Sequence, residues 1–186
     1  MSKRFSYLVV VAVAALAVVA GIFSSTDSAS AHSSHNTHSH ASVQAANAIN
    51  TNGIGYAIFQ ALNRHRAAAG LRPLWWSNAL TYGAHRHNLA MASVDTLEHI
   101  VPGEAGFATR INQDGIRWWW AGENIGVTTD RSLGGALNLD SMMINERAPG
   151  EIGHRQNILS PYADAVGVDV LIANGQLWLT EDLARI

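Results

Sequence analysis

The chain has 186 residues, no cysteine and a formal net charge of −2 at pH 7, with 48% hydrophobic and 14% charged residues. The lack of cysteine excludes a disulfide framework, so the fold has to be held together by its hydrophobic core. The near-neutral charge and the absence of any basic cluster argue against nucleic acid and against an anionic membrane surface as main partners.

The first 31 residues are typical of a secretory signal peptide. Lys3 and Arg4 precede an uncharged run of 16 residues at positions 8–23, and Ala-Ser-Ala at 29–31 matches an A-x-A cleavage site. The run is shorter than the ~20 residues that span a bilayer. We therefore expect cleavage before His32, a secreted, extracellular protein, and no stable membrane insertion of the mature chain.

Residues 32–53 are rich in Ser, Asn, Ala and His and lack apolar periodicity, which predicts a disordered tail before a single domain at residues 54–186. The tail begins with four closely spaced histidines, His32, His35, His38 and His40. They could form a loose metal-capturing tract. Flexible histidines bind metals weakly and unselectively, so a solvated leader is the favoured interpretation.

Apolar spacing predicts a helix at the start of the domain and a second helix after Ser77. The first helix has one apolar stripe, formed by Ile54, Ile58 and Leu62. Ser77 is a suitable N-cap for the second helix. The apolar face of the second helix consists of Leu80, Ala84, His87 and Met91. His87 is therefore interpreted as a hydrogen-bonded core histidine and not as a metal-binding partner of His85, which points in a different direction.

Residues 94–120 have an irregular pattern, which predicts a long ordered loop with one short helix at residues 107–112. Three tryptophans, Trp118, Trp119 and Trp120, end this segment. Three consecutive indoles cannot all face one side of the chain, so we expect at least one at the surface. Core packing with one exposed ring is favoured over an aromatic platform for a ligand.

The C-terminal part predicts one more helix and then a β-hairpin. The helix is expected after Asp130 or Ser132, with Leu133, Leu137 and Ile144 on one stripe. Alternating apolar residues flank Asn-Gly at 174–175, a strong tight-turn signal. Helices followed by an antiparallel hairpin favour an α+β fold over a parallel α/β sheet.

Two polar segments stand out among apolar residues: Gly-Glu-Asn-Ile at 122–125 and Gly-His-Arg-Gln-Asn-Ile-Leu at 153–159. The common hydrolase and nucleotide-binding signatures are absent, and no nucleophile is singled out. Histidine and glutamate nevertheless recur in and around the two segments, at His99, Glu123, Glu146 and His154. Two imidazoles with one or two carboxylates are ligands that suit zinc or a similar divalent cation.

The order and spacing of these segments resemble the CAP superfamily (cysteine-rich secretory proteins, antigen 5, pathogenesis-related 1), in its bacterial branch, from about Tyr56 to the C-terminus. The resemblance implies a single-domain, three-layer α-β-α sandwich with a small, mainly antiparallel sheet. It also implies a central cavity of two histidines and two glutamates, and it places His99, Glu123 and His154 in three of the four roles. Glu146 is favoured for the fourth role over Glu151.

The sequence differs from the family motif at one strand position, and the resemblance implies several possible functions. The strand motif that often reads Thr-Gln is Thr180-Glu181 in this chain. The favoured function is a non-enzymatic binding module whose cavity can hold a divalent cation, with a lipid or a cell-envelope component as its ligand. The alternatives are a metal-dependent hydrolase of peptide or ester bonds, with Glu123 as base, and an extracellular lipid-binding protein. A purely structural network of the same side chains is a further alternative.

Overall fold

The computed structural model describes residues 7–9, 37–147 and 153–186. Its elements in chain order are β1 (Tyr7–Val9), α1 (Thr37–Ala68), β2 (Trp75–Trp76), α2 (Asn78–Val94), α3 (Phe107–Gln113), β3 (Trp120–Thr128), α4 (Leu133–Ile144), α5 (His154–Ile158), β4 (Ala165–Ala173) and β5 (Gln176–Arg185). Strand β1 falls within the predicted signal peptide, and α1 begins within the predicted tail. The domain boundaries themselves stay a prediction. Most of the signal peptide, His32, His35 and Glu151 lie outside the described residues.

The strands form one sheet in the order β1-β3-β5-β4-β2. The central strands β3, β5 and β4 are antiparallel, whereas the short strands β1 and β2 add to the edges in parallel. The turn between β4 and β5 places Asn174 and Gly175 at φ angles of 53° and 76°. Two successive left-handed residues are what a tight type I′ hairpin requires. The predicted C-terminal hairpin and the mainly antiparallel sheet are confirmed.

The sheet separates two layers of helices. On one face, Leu80 of α2 packs in a cluster with Ala165 of β4. On the other face, Ile58 of α1 packs in a cluster with Val166, the next residue of β4. Because successive residues of a strand point to opposite faces, these two clusters lie on the two sides of one sheet. The predicted α+β fold, a three-layer α-β-α sandwich, is confirmed.

Helix α2 follows the prediction from its cap to its buried face. The hydroxyl of Ser77 accepts a hydrogen bond from the amide of Leu80, and all four predicted apolar-face residues are buried. The helix lies very close to β4 at Gly167, where a Cβ atom would collide with the backbone of Leu80 and Thr81. A glycine at this position therefore allows the helix and the strand to pack backbone against backbone.

The remaining helical predictions hold with one shift. Ser132 caps α4 through the amide of Gly135, but Leu133, expected on the buried stripe, is exposed at the first turn. The short helix α3 lies where it was expected, and Trp120 is buried while Trp119 is 39% exposed. Across the described helices, none is both long and apolar enough to cross a bilayer.

Candidate functional site

The first polar segment, residues 122–125, forms the middle of β3 and contributes side chains to both faces of the sheet. Glu123 contacts His99 and Arg110, on the face covered by α2 and α3. Asn124 points to the opposite face, where it contacts Asn157 of α5. The strand alternation explains how one short segment serves two polar clusters.

On the α2 face, Glu123 is fully buried and contacts His99. We call these two residues the first pair. His99 Nδ1 lies 2.8 Å from Glu123 Oε1. Arg110 donates from Nη2 to Glu123 Oε2 and from Nη1 to the backbone oxygen of His99 at 2.8 Å. His87 lies next to them, with Nε2 3.8 Å from Glu123 Oε2. Glu104 accepts from His87 Nδ1 at 2.8 Å, so His87 is the hydrogen-bonded core histidine that was predicted.

Opposite charges keep Glu123 ionised despite its burial. Burial alone would raise its pKa, but the hydrogen bond from His99 and the positive charges of His87 and Arg110 outweigh it, so the pKa of Glu123 is lowered. Asp182 lies directly across from Glu123 in β5. Burial and then the negative charge of Glu123 raise the pKa of Asp182 well above its ordinary range. The ionised Glu123 therefore disfavours the charged form of the Asp182 carboxyl group that faces it.

His154 forms a second pair with Glu146. His154 Nδ1 lies 2.5 Å from Glu146 Oε1. His154 is the first residue of α5, and Glu146 follows the end of α4, so the pair joins the ends of two helices. Gly153 lets Glu146 come close, because a Cβ atom at this position would collide with Glu146 Oε2. Glu146, favoured over Glu151 as the fourth cavity residue, thus lies next to His154, but Glu151 is outside the described residues and the choice between them stays a prediction.

Two asparagines connect β3 to α5 and to β5. Asn157 Nδ2 donates to Asn124 Oδ1 at 2.9 Å and to the backbone oxygen of Glu123 at 3.2 Å. Asn124 Nδ2 in turn donates to Glu181 Oε2 at 2.9 Å. Glu181 is fully buried, and burial, followed by the negative charge of Asp140, raises the pKa of Glu181 to about 8. A neutral carboxylic acid therefore closes this network at pH 7.

The four predicted metal-ligating residues thus occur as two His–Glu pairs. Among residues 51–147 and 153–186, no three His, Asp or Glu side chains are arranged to hold an ion together. Within the same residues, the Nε2 atoms of His99 and His154 are buried and have no hydrogen-bond partner. A shared ion remains a prediction. His85 contacts Asp169 at 3.2 Å, whereas His87 contacts Glu104. The two histidines therefore have different partners, as the sequence predicted.

Sequence patterns did not connect three further residues with Glu123: His87, Arg110 and Asp182. His87 and Arg110 come from helices 13 or more residues earlier in the chain, and Asp182 from the last strand. The one available signal was the alternation in β5, which places Asp182 on the same face as Trp178 and Thr180. A polar residue at such a buried position needs a partner, but the alternation does not name the partner.

Residues 59–178 match the family model for the cysteine-rich secretory protein family, CAP. The chain belongs to the CAP family. The match covers well over half of the chain and includes both polar segments and all four predicted site residues. No significant match is found among curated protein sequences.

Solved structures of CAP and SCP proteins share the fold of this CAP domain. An extracellular SCP-domain protein from Bacillus anthracis is 24% identical, with a TM-score of 0.60 over 73% of this chain and 41% of that chain. An outer surface protein from Borrelia burgdorferi is 15% identical, with a TM-score of 0.61 over 73% and 94%. A cysteine-rich secretory protein from Staphylococcus aureus is 18% identical, with a TM-score of 0.54 over 73% and 40%. This chain therefore spans less than half the length of two of these proteins.

Proposed function

We propose that this CAP domain is an extracellular binding module in which His99 and His154 provide ligand nitrogens for a divalent cation such as zinc. The observation that carries the proposal is the state of the two imidazoles. Each is held at Nδ1 by a glutamate, whereas its buried Nε2 has no partner within the described part of the chain. Metal-binding histidines are commonly oriented by a carboxylate on the other ring nitrogen in this way.

The donor set suits zinc in its chemistry. Imidazole nitrogens and carboxylate oxygens are preferred zinc ligands. Glu146 uses Oε1 for His154, and its buried Oε2 has no partner among the described residues. An unpaired buried polar atom costs about 1–3 kcal/mol, and a bound cation would remove that cost for each imidazole nitrogen that it ligates.

The extracellular location is supported by the predicted signal peptide and by the relatives. The Bacillus anthracis protein is described as extracellular and the Borrelia burgdorferi protein as an outer surface protein. The absence of cysteine does not conflict with export, because the buried core and polar networks hold the fold without disulfides.

The hydrolase alternative is less well supported by the surroundings of Glu123. Both carboxylate oxygens of Glu123 are engaged, one by His99 and the other by Arg110, and the side chain is fully buried. Its lowered pKa makes it a weaker base than an ordinary glutamate. A general base would need an oxygen free to face a water molecule, so binding is the better-supported function.

Zinc is expected to raise the melting temperature of the wild-type protein at neutral pH. At a zinc concentration 100 times the dissociation constant, the gain is about 2.7 kcal/mol, or roughly 5–10 °C for a chain of this size. The gain should fall as the pH is lowered toward about 5, because imidazole must be neutral to bind a metal. Scanning calorimetry with and without zinc, after treatment with EDTA, measures this shift.

Three variants separate the proposed site from other histidines. His99→Gln and His154→Gln should each lose most of the zinc-dependent rise, whereas His85→Gln, which alters a pair with Asp169, should keep it. Isothermal titration calorimetry gives the stoichiometry, expected to be one zinc ion per chain. The proposal is wrong if wild-type protein shows no zinc-dependent rise, or if both site variants keep the full rise.

A further inference from the structure

We propose that the cavity beside the second pair binds an acidic carbohydrate, that is, a saccharide carrying both hydroxyl groups and a carboxylate. The cavity, called the side cavity below, has a volume of about 540 Å³ and lies between the end of α4, α5 and the turn that follows α5. This volume is typical of small-molecule binding sites. The inference rests on the walls of the side cavity and does not require the proposed zinc ion.

The first observation is a buried acceptor without a partner on a residue that lines the side cavity. Asn157 is fully buried and lines the cavity. Its Nδ2 donates to Asn124 Oδ1 and to the backbone oxygen of Glu123, which fixes the orientation of the amide. Its Oδ1 then has no partner within residues 51–147 and 153–186, and it lies against Gly122, where a Cβ atom would come within 2.5 Å. A ligand with a hydroxyl donor would satisfy this oxygen.

A second acceptor lines the same side cavity. Glu146 Oε1 is taken by His154, and Oε2 is buried without a hydrogen-bond partner in the described chain. Two residues that line one cavity, Glu146 and Asn157, therefore each have an acceptor oxygen without a partner in the described chain. Two such acceptors call for a ligand with several donors, either hydroxyl groups or an ammonium group.

The charge of the wall decides between these two kinds of donor. Arg147 and Arg155 both line the side cavity and are exposed to solvent. Arg155 is held in place by a hydrogen bond from Nη1 to the backbone oxygen of Ile144 at 2.6 Å. Two guanidinium groups repel an ammonium ligand and attract a carboxylate. The wall therefore favours hydroxyl donors on a ligand that also carries negative charge.

Aromatic rings provide a surface for the apolar face of a sugar. Tyr162 lines the side cavity and is half exposed. Its ring centroid lies 5.3 Å from that of Trp119, and Arg185 lies over the Trp119 ring at 4.8 Å, so the exposed rings are supported from behind. A flat sugar ring has one face of C–H groups that can pack on such a platform. A lipid tail, by contrast, would have to lie against the Arg, Glu and Asn groups of the wall.

Titration with two saccharides tests the proposal on the purified full chain, with EDTA present. The acidic probe is a hyaluronan hexasaccharide, which alternates glucuronate and N-acetylglucosamine, and the neutral probe is chitohexaose. Tryptophan fluorescence and isothermal titration calorimetry report binding. We expect the acidic probe to bind about tenfold more tightly than the neutral one.

Variants then assign the binding to the side cavity. Tyr162→Ala should weaken binding of the acidic probe about tenfold, while Tyr162→Phe should bind like the wild type. Arg147→Gln should reduce binding of the acidic probe to the level of the neutral one. Tyr82→Ala is the matched control, because Tyr82 is an exposed aromatic on α2, in the other helical layer, and it should leave binding unchanged. Melting temperatures show that each variant is folded.

Several results would overturn the proposal. They are the absence of binding of both probes at millimolar concentration, wild-type affinity in Tyr162→Ala, an equal loss in Tyr82→Ala, and equal affinities for the two probes. Because EDTA is present throughout, these results do not depend on zinc. Saccharide binding without any zinc-dependent rise in melting temperature would reject the cation site and leave the carbohydrate site supported.

Discussion

Replacing Arg66 by methionine is expected to lower the free energy of unfolding by about 3–5 kcal/mol. Arg66 is 1% exposed, and its guanidinium donates to four backbone carbonyl oxygens at 2.9–3.0 Å, those of Arg72, Ile158, Ser160 and Ala163. Methionine fills a similar length but has no donor. The carbonyl oxygens would be left buried and unpaired, and each such loss costs about 1 kcal/mol or more.

Arg66 also supports a segment of the chain that lines the side cavity. Three of its four acceptors belong to the segment that leaves α5 and leads to β4, and Tyr162 lies in this segment. Burial and the nearby charge of Arg72 lower the pKa of Arg66, but a guanidinium remains protonated in proteins. Arg66→Lys keeps the charge without the planar fork and should recover only part of the stability.

Urea denaturation at pH 7 measures the free energy of unfolding of both Arg66 variants. Arg64→Met is the matched control, because Arg64 lies on the same helix and is exposed, and it should change the free energy of unfolding by no more than about 0.5 kcal/mol. A cost below about 1 kcal/mol for Arg66→Met, or equal costs for the two positions, would contradict the prediction.

Much of the fold could be predicted from the sequence because its signals are local. The stripe of Ile58 and Leu62, the cap at Ser77 and the Asn174-Gly175 turn each act within a few residues. Strand β3 carries no comparable signal. Its centre is Gly-Glu-Asn, which breaks the apolar alternation, since here the sheet is covered by polar side chains on both faces. Their polarity and the family resemblance drew attention to these residues, but neither predicted a strand at this position.

The candidate site could be predicted only in part because its contacts join distant parts of the chain. The resemblance supplied His99, Glu123 and His154, and it favoured Glu146, which lies against His154. It did not supply the division into two pairs. Arg110, from a separate helix, binds Glu123 and His99 together, whereas Glu146 and His154 meet where α4 ends and α5 begins. No local spacing encodes such long-range partners.

Glu181→Gln is expected to stabilise the protein by up to about 4 kcal/mol at pH 8, and by little at pH 5. In the folded protein, burial and the charge of Asp140 raise the pKa of Glu181 to about 8, whereas an unfolded chain has a glutamate pKa of about 4.3. The folded state therefore binds one more proton between these two values. The contribution of Glu181 to the free energy of unfolding is fully present below about pH 4 and is lost as the pH rises to 8.

Glutamine removes this loss without removing the packing. Its side chain has nearly the same shape, and its carbonyl oxygen can still accept the hydrogen bond that Asn124 Nδ2 now donates to Glu181 at 2.9 Å. Its amide group also adds a donor where Glu181 Oε1 has no partner among the described residues. The change restores the Thr-Gln pair of the motif that this chain resembles, in which residue 181 carries no charge.

The difference between the two proteins isolates Glu181 from other titrating groups. Asp140, Asp169 and Asp182 also have raised pKa values. Each of them therefore also lowers the stability of the wild-type protein as the pH rises. These groups are common to both proteins and largely cancel in the comparison. Urea denaturation at pH 5, 7 and 8 should give curves that diverge with rising pH, and Glu98→Gln, at an exposed glutamate, should follow the wild type throughout. Parallel pH profiles for wild type and Glu181→Gln would mean that Glu181 is ionised in the folded protein, so that a cation or a further donor must then face its second oxygen.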